Sequence, residues 1–422
     1  MKCRPAKFKR PICIYKIIFI TGLLVLGIAI SFLKVGILSQ GNRFSSTYLD
    51  VSEWFTDRTI YCEGNYVGYA HRYFQLKSTV YDPSRDIFSV QCNNWMYFNS
   101  PKWYWFHTEF YAQGKYTQSL SFVSKPETKH PMDIEEVVFI VSRDYPHNFY
   151  HAMTQWYNLF ILSKSHGIDM KNMTVLLLDR GPKVHLDDQW KLLFRQILKA
   201  GDLTQPLLIK NAIFSIAGHE SPLFYFNIDR LPFIEEFSSK FLDVFSLRSK
   251  NSVNCDKLSI TLVFRRDYYM HPEKNEEIRI AERKFKNEDE IISILESEFP
   301  GHTLNILKAE NMSLPEQLKM TSNTDVLIAM HGCVLTQILF LPKHAMVLEM
   351  YPNFWTIQRF FSSIAKWRNV KHQIWQNTNE DNEFPNHYTY VPPSVIKNFA
   401  LDVRKHFACH DTASKQLKLT YT

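Results

Sequence analysis

Three short stretches put polar side chains where apolar runs stop. "LSITLVF" (258–264) is followed by Arg265 and Arg266, "DVLIAM" (325–330) by His331 and Gly332, and "VLEMYP" (347–352) carries Glu349. Two successive guanidiniums can grip phosphate oxygens in bidentate fashion. A glycine before a helix removes a Cβ where a ligand must come close. The helix start then offers unpaired N–H groups, here those of Cys333, Val334 and Leu335, at its positive end. His331 adds a hydrogen-bonding ring for sugar or phosphate, and Glu349, one strand over, could accept the two hydroxyls of a ribose. Each residue also has a plainer reading: ion pairs for the arginines, a satisfied core histidine at a capped helix, a paired carboxylate. Arg-Arg, His-Gly and Glu at three successive strand ends predict a nucleotide pocket in the second half of the chain.

A second set lies in "HNFYHAMTQWYNLF" (147–160). Spacings of three and four put Asn148, His151 and Gln155 on one helix face just after a strand end, directed toward a cleft between two halves. An imidazole there could take a proton from a hydroxyl. The alternative is a histidine packed in an aromatic core.

These residues need a scaffold that presents strand ends. Apolar runs of four to seven residues recur, each followed by a helical pattern: 137–141 before 148–164, 175–178 before 187–198, and 258–264 before 287–295. Then come 302–307, a helix opened by Ser313, the run 325–330, a helix over 334–340, the run 345–350 and a helix from about Trp355. Doubly buried strands alternating with helices predict an α/β chain with parallel sheets and helical crossovers. The polar run "SKNSVNCD" (249–256) marks a division into domains 56–250 and 251–422.

Several chemistries lack their signatures. No Asp-x-Asp follows a strand, and the acids Glu288, Asp289 and Glu290 open a helix, where carboxylates favour the dipole. No zinc-spaced Cys/His set, phosphate-binding Walker loop or Gly-x-Ser-x-Gly elbow occurs. The sequence therefore predicts a site that needs no metal and no resident cofactor.

Residues 17–33 carry no charge, and with 12–16 they are long enough to cross a bilayer, Lys16 snorkelling. Lys2, Arg4, Lys7, Lys9 and Arg10 precede the stretch without an acid, and Asp50 is the first carboxylate after it. This predicts a cytosolic tail (1–11), an uncleaved signal anchor (12–38), a short stem (39–55) and a lumenal remainder, with a cleaved signal peptide as the alternative. Cys62, Cys92, Cys255, Cys333 and Cys409 then lie where disulfides persist, an odd number whose pairing the sequence leaves open. Asn172 and Asn311 sit in glycosylation sequons. The net charge of +7 is partly the tail's and gives no reason to expect nucleic acid.

The stretches "FRRDYYMHPEK", "RKFKNEDEI", "PEQLKM", "MHGCVLTQILFLPKHAMVLEMYP", "NFYHAMTQWYN" and "YCEGNY" occur in an order that resembles glycosyltransferase family 61, over residues 61–352. The resemblance implies two Rossmann-like domains in a GT-B arrangement and an inverting, metal-independent transfer from a UDP-sugar bound by the second domain. It assigns Arg265, Arg266, Arg283, His331, Gly332, Thr336 and Glu349 to the donor, Asn148 to the acceptor, and His151 and Gln155 to catalysis. "RRDYYMHPEK" and "HAMTQWY" are most similar to plant-type core β-1,2-xylosyltransferases, which implies xylose transfer to an N-glycan core mannose. Relatives that transfer N-acetylglucosamine to EGF domains or O-mannose resemble it less there. The family commonly has Ala and Gly where this chain has Cys333 and Val334, and many members have Asp where it has Gln155. A UDP-GlcNAc-dependent protein transferase and a catalytically weakened lumenal glycan-binding relative are the alternative readings. Residence in the Golgi membrane is expected, with the endoplasmic reticulum as the other possibility.

Overall fold

Runs of Val, Ile and Leu fold as strands because branched side chains pack well on a pleated surface covered on both faces. In the computed structural model, which describes residues 49–70, 72–93, 119–124, 132–143, 145–271 and 276–407, these runs form two main sheets. Two units divide the chain, Met1–Leu49 and Asp50–Thr422, and every element below belongs to the second. The expected tail and anchor, all but the end of the expected stem, and Cys409 lie outside the described residues. Among the described residues no helix is long and apolar enough to cross a membrane.

The first sheet contains β1 (Arg58–Tyr61), β2 (Tyr66–Tyr69), β3 (Tyr73–Asp82), β4 (Ile87–Gln91), β5 (Ser119–Val123), β6 (Met132–Val141), β7 (Thr174–Leu177), β8 (Gln196–Lys199) and β9 (Leu207–Phe214). Its order is β1-β2-β3-β9-β6-β7-β8, with β4 on β3 and β5 on β4. Strands β9, β6, β7 and β8 are parallel, as expected. The β1–β4 portion is antiparallel, which the sequence reading did not anticipate. Its connections, 62–65, 70–72 and 83–86, are too short for crossovers, and only hairpins fit them. A Cys62–Cys92 disulfide ties the first of these turns to the end of β4. Cys255 is also disulfide-bonded, and Cys333 is a free thiol.

The second sheet is wholly parallel: β10 (Ser259–Phe264), then, beyond the hairpin β11 (Tyr268–His271) and β12 (Glu276–Arg279) and the short β13 (Lys284–Phe285), β14 (Thr303–Lys308), β15 (Val326–Met330), β16 (Met346–Tyr351) and β17 (Lys371–Gln376). Its order β14-β10-β15-β16-β17 corresponds to 2-1-3-4-5 in chain sequence. In such a sheet the winding reverses between the first and third strands, and ligands sit outside the carboxyl ends there. Here that point lies between β10 and β15. Helices Glu288–Glu298 and Pro393–Phe407 cover one face through Ile291, Leu295, Ile396, Phe399 and Val403.

Three helices differ from expectation. The predicted helix over 187–198 stops at Leu193, because residues 196–199 pair as β8. The one expected from Trp355 begins at Phe360, which leaves 352–359 as a loop. Residues Cys333–Phe340 wind as a 3-10 helix. Aromatic packing joins the helices of the two sheets: Phe241 stacks on Phe340 at 4.9 Å, Tyr150 meets Phe360 edge-on at 5.2 Å, and the Trp367 indole donates to the Ile228 carbonyl at 3.0 Å. Asn172 and Asn311 are both exposed.

Candidate active site

The ends of β10 and β15 bring together Arg265 and the His331–Gly332 pair. The His331 N–H donates to the Met350 carbonyl at 2.8 Å, so the strand pairing runs one residue past β15 and fixes the His331 carbonyl. That oxygen accepts from Arg265 Nη1 at 3.1 Å and from Arg283 Nε at 2.8 Å. Burial, and next the charge of Arg265, push Arg283 down to about 10. The Trp355 ring lies 4.0 Å from the Arg283 guanidinium. Arg283 also holds a left-handed backbone (φ 60), a conformation that costs a side-chain-bearing residue energy. Two half-buried cations gathered on one carbonyl, one of them strained, suit an anion that would neutralise them.

Gly332 serves this arrangement by leaving space. Its backbone is extended (φ 168, ψ 168), which any residue adopts, but a Cβ there would fall 1.5 Å from Arg265 Nη1. The close approach anticipated from a ligand is thus made by Arg265. In the 3-10 helix that follows, Leu335 N–H donates to the Gly332 carbonyl at 2.9 Å. Of the three amides expected to face a ligand, those of Cys333 and Val334 keep that capacity. Three buried polar atoms nearby lack a protein hydrogen bond among the described residues: Arg265 Nε, Thr336 Oγ1 and Trp355 Nε1. The orphaned Arg265 Nε stands at the strand end itself, where a polar occupant would satisfy it.

Glu349 and the His331 ring are engaged with other side chains of the protein. Register pairs Ala329 with Glu349, Met350 with Trp375 and Val347 with His372. Alternation therefore puts His331, Glu349, Tyr351 and His372 on one face. Glu349 is fully buried. One carboxylate oxygen meets His331 Nδ1 at 2.5 Å and accepts from the Tyr351 hydroxyl at 2.9 Å, and the other meets His372 Nε2 at 2.9 Å. Burial pushes Glu349 up, but hydrogen bonds from His331 and His372 outweigh it and hold the carboxyl below its usual range. The remaining nitrogen of His331 faces Gln358 Oε1 at 3.0 Å. With both oxygens engaged within the protein, Glu349 orients the His331 ring. Both nitrogens of that ring are paired within the protein. His331 acts on the crevice through its carbonyl.

The other predicted residues divide. Arg266 turns to Glu288 in a two-pronged ion pair, with Nη1 2.6 Å from Oε1, the structural alternative weighed from the sequence. Asn148 caps the helix Phe149–His166, its side-chain oxygen accepting from Tyr150 N at 2.9 Å. Gln155 is buried, and its Nε2 donates to the Ser142 carbonyl at 3.1 Å. A carboxylate there would set lone pairs against that carbonyl, which gives a structural reason for an amide. His151 is half-buried on the first turn, beside Tyr145 at 4.9 Å between ring centroids. A chain of rings links this end to the strand-end crevice: Tyr150 lies 6.0 Å from Phe361, and Phe361 lies 5.1 Å from His331. His372, Tyr351, Gln358 and Trp355 were not foreseen. Among the described residues no group of three or more His, Cys, Asp or Glu could hold a metal ion.

A parallel 2-1-3-4-5 sheet with a cationic crevice at its reversal point places this chain among the α/β proteins. The model of the family described as Glycosyltransferase 61 matches residues 69–348. This chain belongs to glycosyltransferase family 61. It is 24% identical to a β-1,2-xylosyltransferase of Oryza sativa subsp. japonica over 57% of this chain and 49% of that protein. A β-1,2-xylosyltransferase of Arabidopsis thaliana is 23% identical over 65% of this chain and 56% of that protein. An EGF domain-specific O-linked N-acetylglucosamine transferase of Gallus gallus is 24% identical over 70% and 55%. The chain spans about half the length of these relatives.

Proposed function

We propose that the protein is an inverting glycosyltransferase of GT-B architecture, acting on a UDP-sugar whose diphosphate occupies the crevice between β10 and β15. The observation that carries this reading is the pair Arg265 and Arg283 on the His331 carbonyl, with Gly332 clearing the approach of Arg265. An acceptor hydroxyl attacks the anomeric carbon of the donor, the bond from that carbon to the diphosphate oxygen breaks, and the configuration inverts. His151 takes the hydroxyl proton. The charge that develops on the leaving diphosphate meets two guanidiniums and the amides of Cys333 and Val334, which need no reorganisation at that moment. With these groups in place the transfer needs no metal. Thr336, whose hydroxyl lacks a protein partner among the described residues, completes the donor contacts.

The donor favoured is UDP-xylose and the acceptor the core mannose of an N-glycan, in keeping with the relatives named β-1,2-xylosyltransferases. Relatives named EGF domain-specific O-GlcNAc transferases support UDP-GlcNAc as the second choice. Placement in the Golgi lumen, anchored through 12–38, and sugars on Asn172 and Asn311 belong to the same proposal. The test is UDP release by the purified protein in EDTA, with each donor offered against an N-glycan core and an EGF domain. Acceptor-dependent release with UDP-xylose supports the reading, and release only with UDP-GlcNAc replaces the donor. Donor binding without release on any acceptor would favour the weakened, glycan-binding relative.

A further inference from the structure

The loop before the helix Phe149–His166 holds a second strained residue. Tyr145 has a left-handed backbone (φ 48), unfavourable for a bulky side chain, and it directly precedes Pro146, which narrows its choices further. The strain is held by a closed turn, in which the Asn148 N–H donates to the Tyr145 carbonyl at 2.8 Å. Turns commonly relieve such a position with Gly or Asn. Here the strained backbone presents a tyrosine that is 49% exposed. The ring is tilted over His151 at 4.9 Å, with His147 at 6.3 Å. An exposed aromatic face bordered by imidazoles differs from an apolar patch, because polar groups stand at its edge.

We infer that Tyr145 is the platform on which a pyranose ring of the acceptor stacks, which makes a carbohydrate, rather than a bare polypeptide, the acceptor that this surface selects. The inference rests on the transferase reading above and deepens it. A pyranose has one face of C–H bonds, which favours the negative face of an aromatic ring, and a rim of hydroxyls. Stacked on Tyr145, a sugar directs those hydroxyls at His147 and His151, and so brings one of them to the group that takes its proton. A peptide would need pairing partners for its backbone groups, which a single ring does not supply. Strain of this kind persists where function requires the side chain it displays.

The test compares Tyr145→Gly and Tyr145→Phe in the whole protein. Glycine removes the ring and relieves the backbone, so its melting temperature should equal or exceed that of the natural protein, and UDP binding should be unchanged. The KM for an N-glycan core oligosaccharide should rise roughly three- to tenfold, the size of one aromatic stacking contact, with little change in kcat. Phenylalanine should keep the natural KM. Saturation-transfer NMR of the free oligosaccharide with UDP present reads the same contact without turnover. Failure of the natural protein to bind the sugar, a natural KM in Tyr145→Gly, or an equal loss in Tyr145→Phe would overturn the inference. An equal rise in KM for an unglycosylated EGF domain would also overturn it, in favour of a polypeptide surface. Sugar binding that depends on Tyr145 but yields no product would refute the transferase reading and leave the platform standing.

Discussion

Arg265 and Arg283 donate to the same atom, the main-chain carbonyl oxygen of His331, at 3.1 and 2.8 Å. Like charges do not gather without a reason, and burial together with Arg265 already disfavours the Arg283 cation. If an anion is that reason, each guanidinium should matter more for the donor than for the fold. Arg283→Ala is expected to lower turnover by about 10²–10³ while the melting temperature changes little. Arg283→Lys should restore little of that, since an ammonium cannot both reach the carbonyl and lie flat on Trp355. Steady-state kinetics and a melting curve check both statements.

Gly332→Ala puts a methyl group where Arg265 Nη1 now lies, and the guanidinium must swing away. Because the obstacle is the end of a flexible side chain, the protein should fold and lose donor affinity. Arg265→Ala should reproduce the loss, and the double substitution should be no worse than Arg265→Ala alone, a strong departure from additivity. Additive effects would show that the glycine serves something other than Arg265.

The Glu349 hub gives a pH prediction. Its folded carboxyl titrates below the ordinary carboxylate range, so it contributes stability that is complete above its unfolded value, about 4.3. That stability is lost as pH falls through the lower folded value. Thermal melts of the natural protein should therefore fall steeply below about pH 4. Glu349→Gln should be less stable at pH 7 by roughly 1–3 kcal/mol and show a shallower fall in the acid window. An unchanged acid slope would mean that the carboxylate is not held by its two histidines.

At position 155 the amide donates to the Ser142 carbonyl, so restoring the aspartate common in the family should not restore activity. Gln155→Asp is expected to lower the melting temperature and leave turnover unchanged or reduced. A clear gain in turnover would return catalytic importance to this residue.

The strand ends were legible because a parallel strand buried on both faces is a short apolar run with an abrupt polar stop. Arg265, His331 and Gly332 could thus be found by reading where such runs cease. What the side chains do there was not legible. Glu349 reads as a ribose ligand in the sequence, and only the register shows His331 on one side of it and His372 on the other. His372 lies on β17, whose sequence "KHQIWQ" has no apolar run to mark it. The sequence reads as a helix from about Trp355, whereas the helix begins only at Phe360. Arg266 and Arg265 are equivalent in sequence, and only Glu288 separates their roles.

Calorimetric titration of UDP into the natural protein, Arg265→Ala and Arg283→Ala, all in EDTA, tests the central claim most directly. Saturable metal-free binding by the natural protein is expected, with at least about tenfold weaker binding by each variant, the loss of one charge-assisted contact. Equal affinity in all three, or binding that appears only when a divalent cation is added, would contradict it.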